Sequence, residues 1–176
     1  MQTQNIKTLA NAVLNQYDMQ HVPVKVESLA ELIGAEIKKG SLKNSLSGFS
    51  VQKDGVKFIG INSDESHERQ RFTIAHEIGH LFLHKKDKVN FELDGVVLFR
   101  DGHSSVGTDV REIEANRFAA ELLMPEAGLR KRLAKEGNVD LVGEKIKTNK
   151  LIATLAKEYD VSPQAMSIRL ATLYFG

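Results

Sequence analysis

With 176 residues, 41% of them hydrophobic, the chain has material for one well-buried core and at most a small helical addition to it. Its 24 basic residues nearly balance 23 acidic ones, a formal charge of +1, which excludes a global electrostatic pull toward nucleic acid or an anionic membrane and leaves only local contacts of that kind. There is no cysteine, so disulfide frameworks and thiolate metal sites are ruled out, and any metal ligands must be His, Asp or Glu.

Residues 1–15 show neither the basic-then-apolar pattern of a secretion signal nor a small-residue cleavage site, and no run approaches the roughly 18 apolar residues of a membrane span. A soluble cytoplasmic protein without membrane contact is expected. Ile6, Leu9, Ala10, Val13, Leu14 and Tyr17 recur at helical spacing, and a second helix is predicted from Val26 to Ile33, stopped by Gly34. Beyond it the pattern turns alternating and β-branched over residues 35–38, 46–51 and 56–61, with Lys53-Asp54-Gly55 as a hairpin turn. The fold class expected is therefore α+β, a small antiparallel sheet packed on helices, with residues 56–62 as an edge strand on which an extended peptide could pair.

Residues 76–80 read His-Glu-Ile-Gly-His within a stripe of Phe72, Ile74, Ala75, Ile78, Leu81 and Phe82, which predicts one amphipathic helix from about Ser66 to His84, capped by the polar run 62–66. Positions four apart share a helix face, so His76 and His80 can offer both imidazoles to one metal ion, and Glu77 stands beside it where a carboxylate can take a proton from bound water. That arrangement points to a zinc hydrolase, most often a peptidase. The other readings of the pair are a surface couple or a hydrogen-bonded core couple; the apolar flanks argue against leaving such imidazoles unpartnered.

A catalytic zinc needs a third protein ligand and an open position. On a helix predicted from about Asp109 to Met124, Glu112 shares a stripe with Ala115, Asn116 and Ala119, whereas Glu114 shares one with Arg117, Phe118 and Glu121. Small residues permit close approach near Gly79, which favours Glu112 as third ligand and places Asn116 where it can accept the N–H of a ligand imidazole. The alternative is that Glu112 and Glu114 are both solvated charges facing Arg111 and Arg117. His84 is rejected as ligand: eight residues of helix rise about 12 Å, whereas nitrogens sharing one zinc lie within about 4 Å. It is expected to orient the helix end or bond a backbone carbonyl. His103, in the loop-like run 85–110, is a candidate oxyanion donor, or an ordinary surface histidine; His21 and His67 carry no comparable argument.

Residues 151–159, a turn at 160–163 and residues 164–173 have a helix-turn-helix outline beside Arg130, Lys131, Arg132, Lys135, Lys145, Lys147 and Lys150. A DNA-binding regulator is thus a rival reading. Against it, the second helix offers only Gln164, Ser167 and Arg169 to base edges, and direct nucleic-acid binding is not expected.

The runs from Arg71 to His84 and from Glu112 to Pro125, together with Gly60-Ile61-Asn62 and parts of 155–170, make a sequence that resembles the ImmA/IrrE family of bacterial and phage zinc metallopeptidases. The resemblance implies a gluzincin-like site with His76 and His80 as ligands, Glu77 as base and Glu112 as third ligand. A zincin-like domain over 1–125 with a helical region over 126–176 packed on it is expected; in one respect the sequence departs from longer members of the family, carrying no appended DNA-binding or sensor domain at either end. The resemblance also implies a protein substrate, a helix-turn-helix repressor of the Cro/Xre type, cut to release genes of a mobile element, toxin–antitoxin unit or stress response. A non-proteolytic zinc protein that binds such a repressor without cutting it stays open at this point.

Overall fold

Gly34 marks the passage from helix to sheet. In the computed structural model, which describes residues 2–42, 46–53, 55–84, 90–91, 110–136 and 145–175, helices α1 (Gln2–Gln16) and α2 (Val26–Leu32) precede it. Gly34 sits at φ +78°, a left-handed conformation that closes the end of α2 by bonding its N–H to Glu31 O at 2.9 Å. Strand β1 (Ala35–Gly40) follows, then the hairpin of β2 (Gly48–Lys53) and β3 (Val56–Asn62). Next come helix α3 (His67–Leu83), the two-residue strand β4 (Asn90–Phe91), α4 (Val110–Leu123), α5 (Glu126–Leu133), α6 (Lys145–Tyr159) and α7 (Pro163–Phe175).

The class is α+β, but the sheet differs from expectation in two respects. Its order is β1-β3-β2-β4, and although β2 pairs antiparallel with both β3 and β4, β1 runs parallel to β3 from Ala35↔Lys57 to Gly40↔Asn62. The hairpin fixes β2 on one side of β3, so the earlier strand takes the other side, and the segment between β1 and β2 must return across the sheet end. Consequently residues 56–62 form an interior strand, not an edge. Both rows of β3 main-chain groups are engaged, so an incoming peptide has nothing to pair with there. Among the described residues, the outer side of β2 pairs with β4 at Phe49 and Ser50.

One apolar cluster joins the layers. Ile59 and Ile61 of β3, Ile74 and Ile78 of α3, Phe118 and Leu122 of α4, Val13 and Leu14 of α1, and Leu155, Tyr159, Met166 and Leu170 of the last two helices all belong to it. Two buried arginines tie distant segments to this core. Arg71 donates from Nε to Asp160 O and from Nη2 to Val24 O, each at 2.9 Å, with Asp160 Oδ2 3.1 Å from Nε. Arg169 forks onto Glu121, with Nη1–Oε1 at 2.8 Å and Nη2–Oε2 at 2.6 Å, while its Nε donates to Met124 O at 3.0 Å. At the periphery, Lys7 of α1 hydrogen-bonds Glu126 of α5, which also accepts from Arg130; the bond from Lys7, then that from Arg130, holds the Glu126 carboxyl below its ordinary pKa. No described helix is long and apolar enough to cross a membrane.

Candidate metal centre

Helix α3 begins where the polar run places it: Ser66 is extended at φ −61°, ψ 157°, and its hydroxyl accepts the Arg69 N–H at 3.3 Å. From there the helix enters the core, and residues 73–80 are buried throughout, histidines included. Alpha helix α4 crosses it at close range. A Cβ placed on Gly79 would lie 3.2 Å from Phe118 Cδ1 and 3.3 Å from both Ala115 Cα and Ala115 O, so glycine opposite alanine lets the two backbones touch.

That contact brings the Glu112 stripe of α4 over the histidine pair. His76 Nε2 and His80 Nε2 are 2.9 Å apart, Glu112 Oε2 is 3.3 Å from the former and Glu112 Oε1 is 3.5 Å from the latter. Among the described residues, His76, His80 and Glu112 are the group able to hold a metal ion, with one ligand atom from each lying within 4.8 Å of the others. The donor set fits a divalent cation. Glu112 Oε2 is buried and accepts no hydrogen bond, and two ring nitrogens turned toward each other beside that carboxylate are a nitrogen and oxygen donor set of the kind a divalent cation takes. On its other side, His76 Nδ1 lies 3.0 Å from Asn116 Oδ1, so with Nδ1 as donor, Nε2 is left as the lone-pair nitrogen facing the cluster.

Glu77 is 1% exposed and faces a cleft lined also by Ser47, Gly48, Arg69, Phe72, Thr73 and His76. The remaining candidates fall elsewhere. Glu114 turns toward His84 Nδ1 at 3.9 Å, and His84 Nε2 bonds Arg111 O at 3.1 Å, the backbone-carbonyl role expected of it. Burial lowers the His84 pKa, outweighing the opposing effect of the bond to Arg111 O. His67 pairs with Asp160 at 2.8 Å, and His21 is exposed. His103, the candidate oxyanion donor, lies outside the described residues.

The cleft wall escaped the sequence reading. Gly48 approaches α3 so closely that a Cβ would overlap Thr73 Cγ2 and stand 2.8 Å from Gly60 O. A lone glycine at the start of a strand does not announce such a contact. Its floor, by contrast, was visible in principle, because Arg69, Phe72, Thr73 and His76 recur at three- and four-residue steps on one face of α3.

Known proteins are similar to this chain. Residues 30–171 match the IrrE N-terminal-like domain that defines peptidase family M78. The chain is similar to an uncharacterized immunity region protein 2 of Bacillus phage phi105, 28% identical over 119 residues, which are 68% of this chain and 70% of that protein. It is also similar to the radiation response metalloprotease IrrE of Deinococcus radiodurans, 35% identical over 105 residues, 59% of this chain but only 27% of that longer protein. With a family match over most of its length and a His-His-Glu cluster able to hold a metal ion, the chain belongs to the M78 metallopeptidases.

Proposed function

We propose that the chain is a zinc-dependent endopeptidase and that its substrate is a helix-turn-helix repressor of the Cro/Xre type. The observation that carries the first half is the convergence of His76, His80 and Glu112 on one point, with Glu77 lining the cleft beside it. Two nitrogen ligands and one carboxylate, leaving a position open, are the donor set of a hydrolytic zinc site. His76, His80 and Glu112 would hold the zinc, which would supply Lewis acidity to activate water near neutral pH and to polarise the scissile carbonyl.

The protein side chains do the rest. Glu77 takes the proton of the attacking water and delivers it to the leaving amine, a shuttle that requires a carboxylate next to the ligands but not among them. Asn116 orients the His76 ring through its Nδ1, so that Nε2 stays available. Residues 1–125 carry the site, and 126–176 buttress it through Arg169 on Glu121 and Tyr159 in the shared core.

The repressor reading is supported by the names of the relatives, one from a phage immunity region and another a radiation response metalloprotease, which suit a role in a controlled response more than general digestion. The DNA-binding alternative loses its best base-reading candidate, since Arg169 is buried against Glu121. Incubating the zinc-loaded protein with the repressor encoded beside its gene should give one discrete cut, abolished by a chelator and restored by zinc. Binding without a cut would leave a non-proteolytic zinc protein as the answer.

Replacing Asn116 by alanine removes the acceptor for His76 Nδ1 without touching a ligand. Zinc affinity should fall about 10- to 100-fold while the fold persists, as measured by competition with a chromophoric chelator and by circular dichroism. Unchanged affinity would mean that the ring is held by packing alone.

A further inference from the structure

The cleft that leads away from His76 runs along a single stripe of α3. Arg69, Phe72, Thr73 and His76 form its floor, and Ser47 and Gly48 at the start of β2 form its wall. Arg69 is the cationic side chain among these lining residues. Its Nη2 donates to Ser47 Oγ at 2.9 Å, whereas its Nε stands 3.6 Å from Glu65 Oε2, too far for a hydrogen bond. Ser47 in turn donates to Glu65 Oε1 at 2.6 Å, so a hydroxyl stands between the two charges and holds both. A guanidinium has five N–H donors. Among the described residues, the Ser47 bond is the one hydrogen bond this guanidinium makes, and its buried Nε has no hydrogen-bond partner. That Nε faces Glu65 Oε2, likewise buried without a hydrogen bond, so Arg69 is anchored through Ser47 and Glu65, and the donors left for a ligand are those of its terminal nitrogens, at the end of the stripe away from the metal cluster.

The distance sets what it meets. Seven residues of helix separate Arg69 from His76, about 10 Å along the axis, and an extended peptide advances about 3.3 Å per residue. A chain laid along the stripe with its scissile bond at the metal therefore passes Arg69 with the side chain roughly three positions away. We infer that Arg69 is a specificity-determining residue that selects an acidic side chain about three positions from the scissile bond, with Glu65 tempering its charge. This rests on the proteolytic reading above and names part of the substrate chemistry that reading leaves open.

The test begins with cleavage-site profiling of the zinc-loaded full chain on a proteome-derived peptide pool, with and without chelator, followed by a pair of synthetic peptides differing only in Asp or Asn at the enriched position. The wild type should enrich Asp and Glu at one position two to four residues from the cut. Arg69→Gln should lower the Asp-to-Asn ratio of kcat/KM about tenfold, the loss expected for one charge-assisted hydrogen bond. Arg69→Lys should keep most of that ratio, and Glu65→Gln should raise it, because the guanidinium then loses its counter-charge. A site serving only to pack the cleft would lose in all three variants alike. A ratio unmoved in Arg69→Gln, or one that falls in Glu65→Gln, overturns the assignment. If neither the pool nor the repressor encoded beside the gene shows a metal-dependent cut, the proteolytic reading itself fails and takes this inference with it; cuts in the repressor alone, with no acidic residue two to four positions away, overturn the inference and leave that reading standing.

Discussion

Replacing Glu77 by glutamine should leave zinc bound at full stoichiometry and lower kcat by about 10²- to 10⁴-fold, the range attributed to a positioned general base. Glutamine matches the shape of glutamate, so the buried position between His76 and Ile78 is preserved and the cleft keeps its outline. What it lacks is the capacity to accept a proton. Because Glu77 is not among the three clustered donors, metal content measured by elemental analysis should not change. The contrasting variant is His80→Ala, which removes one of the three proposed ligand atoms and should lose metal and cleavage together. If Glu77→Gln cuts the proposed repressor substrate at the wild-type rate, the proton shuttle belongs to another group. If it loses zinc, Glu77 acts on the metal site and not on the water.

The second large effect concerns stability. Arg169→Met should destabilise the fold by about 3–5 kcal/mol, because it leaves Glu121 as an uncompensated charge beside the core and strips Met124 O of its donor. For a chain of this size that corresponds to a fall in melting temperature of roughly 10 °C, readable by calorimetry. Lysine should not restore the loss, since the forked geometry of two parallel bonds to Glu121 Oε1 and Oε2, plus a third to a carbonyl, needs a guanidinium. The double variant Arg169→Met with Glu121→Leu should recover much of it, because a matched apolar pair removes the desolvated charge. A loss below about 1 kcal/mol in the single variant would show the pair to be effectively solvated.

The features legible in the sequence were those written as periodicity on a single element. The active helix was expected from about Ser66 to His84 and spans His67–Leu83, because its apolar stripe and its Ser66 cap both belong to the helix itself. Glu112 was preferred over Glu114 because Ala115 and Ala119 marked the face of close approach, and α4 does lie against Gly79 by Ala115. Sheet neighbours are a different kind of information. Alternation says that residues 56–62 are extended, but which strands flank them depends on how separate segments dock. The clue lay in Ile59-Gly60-Ile61-Asn62, where consecutive residues are buried on both faces, the mark of an interior strand. The gap between Glu65, Ser47 and Arg69 was equally silent, since it joins a strand start to a helix start across eighteen and twenty-two positions of chain.

The touching backbones at Gly79 and Ala115 tie the ion to the fold as a whole. The proposed ligands, His76 and His80 on one helix and Glu112 on another, exist as a set only while those helices are docked, so unfolding would disperse them and occupancy would become part of the thermodynamic ledger of the native state. By mass action, an ion present at a hundredfold excess over its dissociation constant adds about 2.7 kcal/mol to the folded form. Cellular availability of the ion would then govern how long the protein survives as well as whether it works, and a cell starved of it would hold a less durable chain.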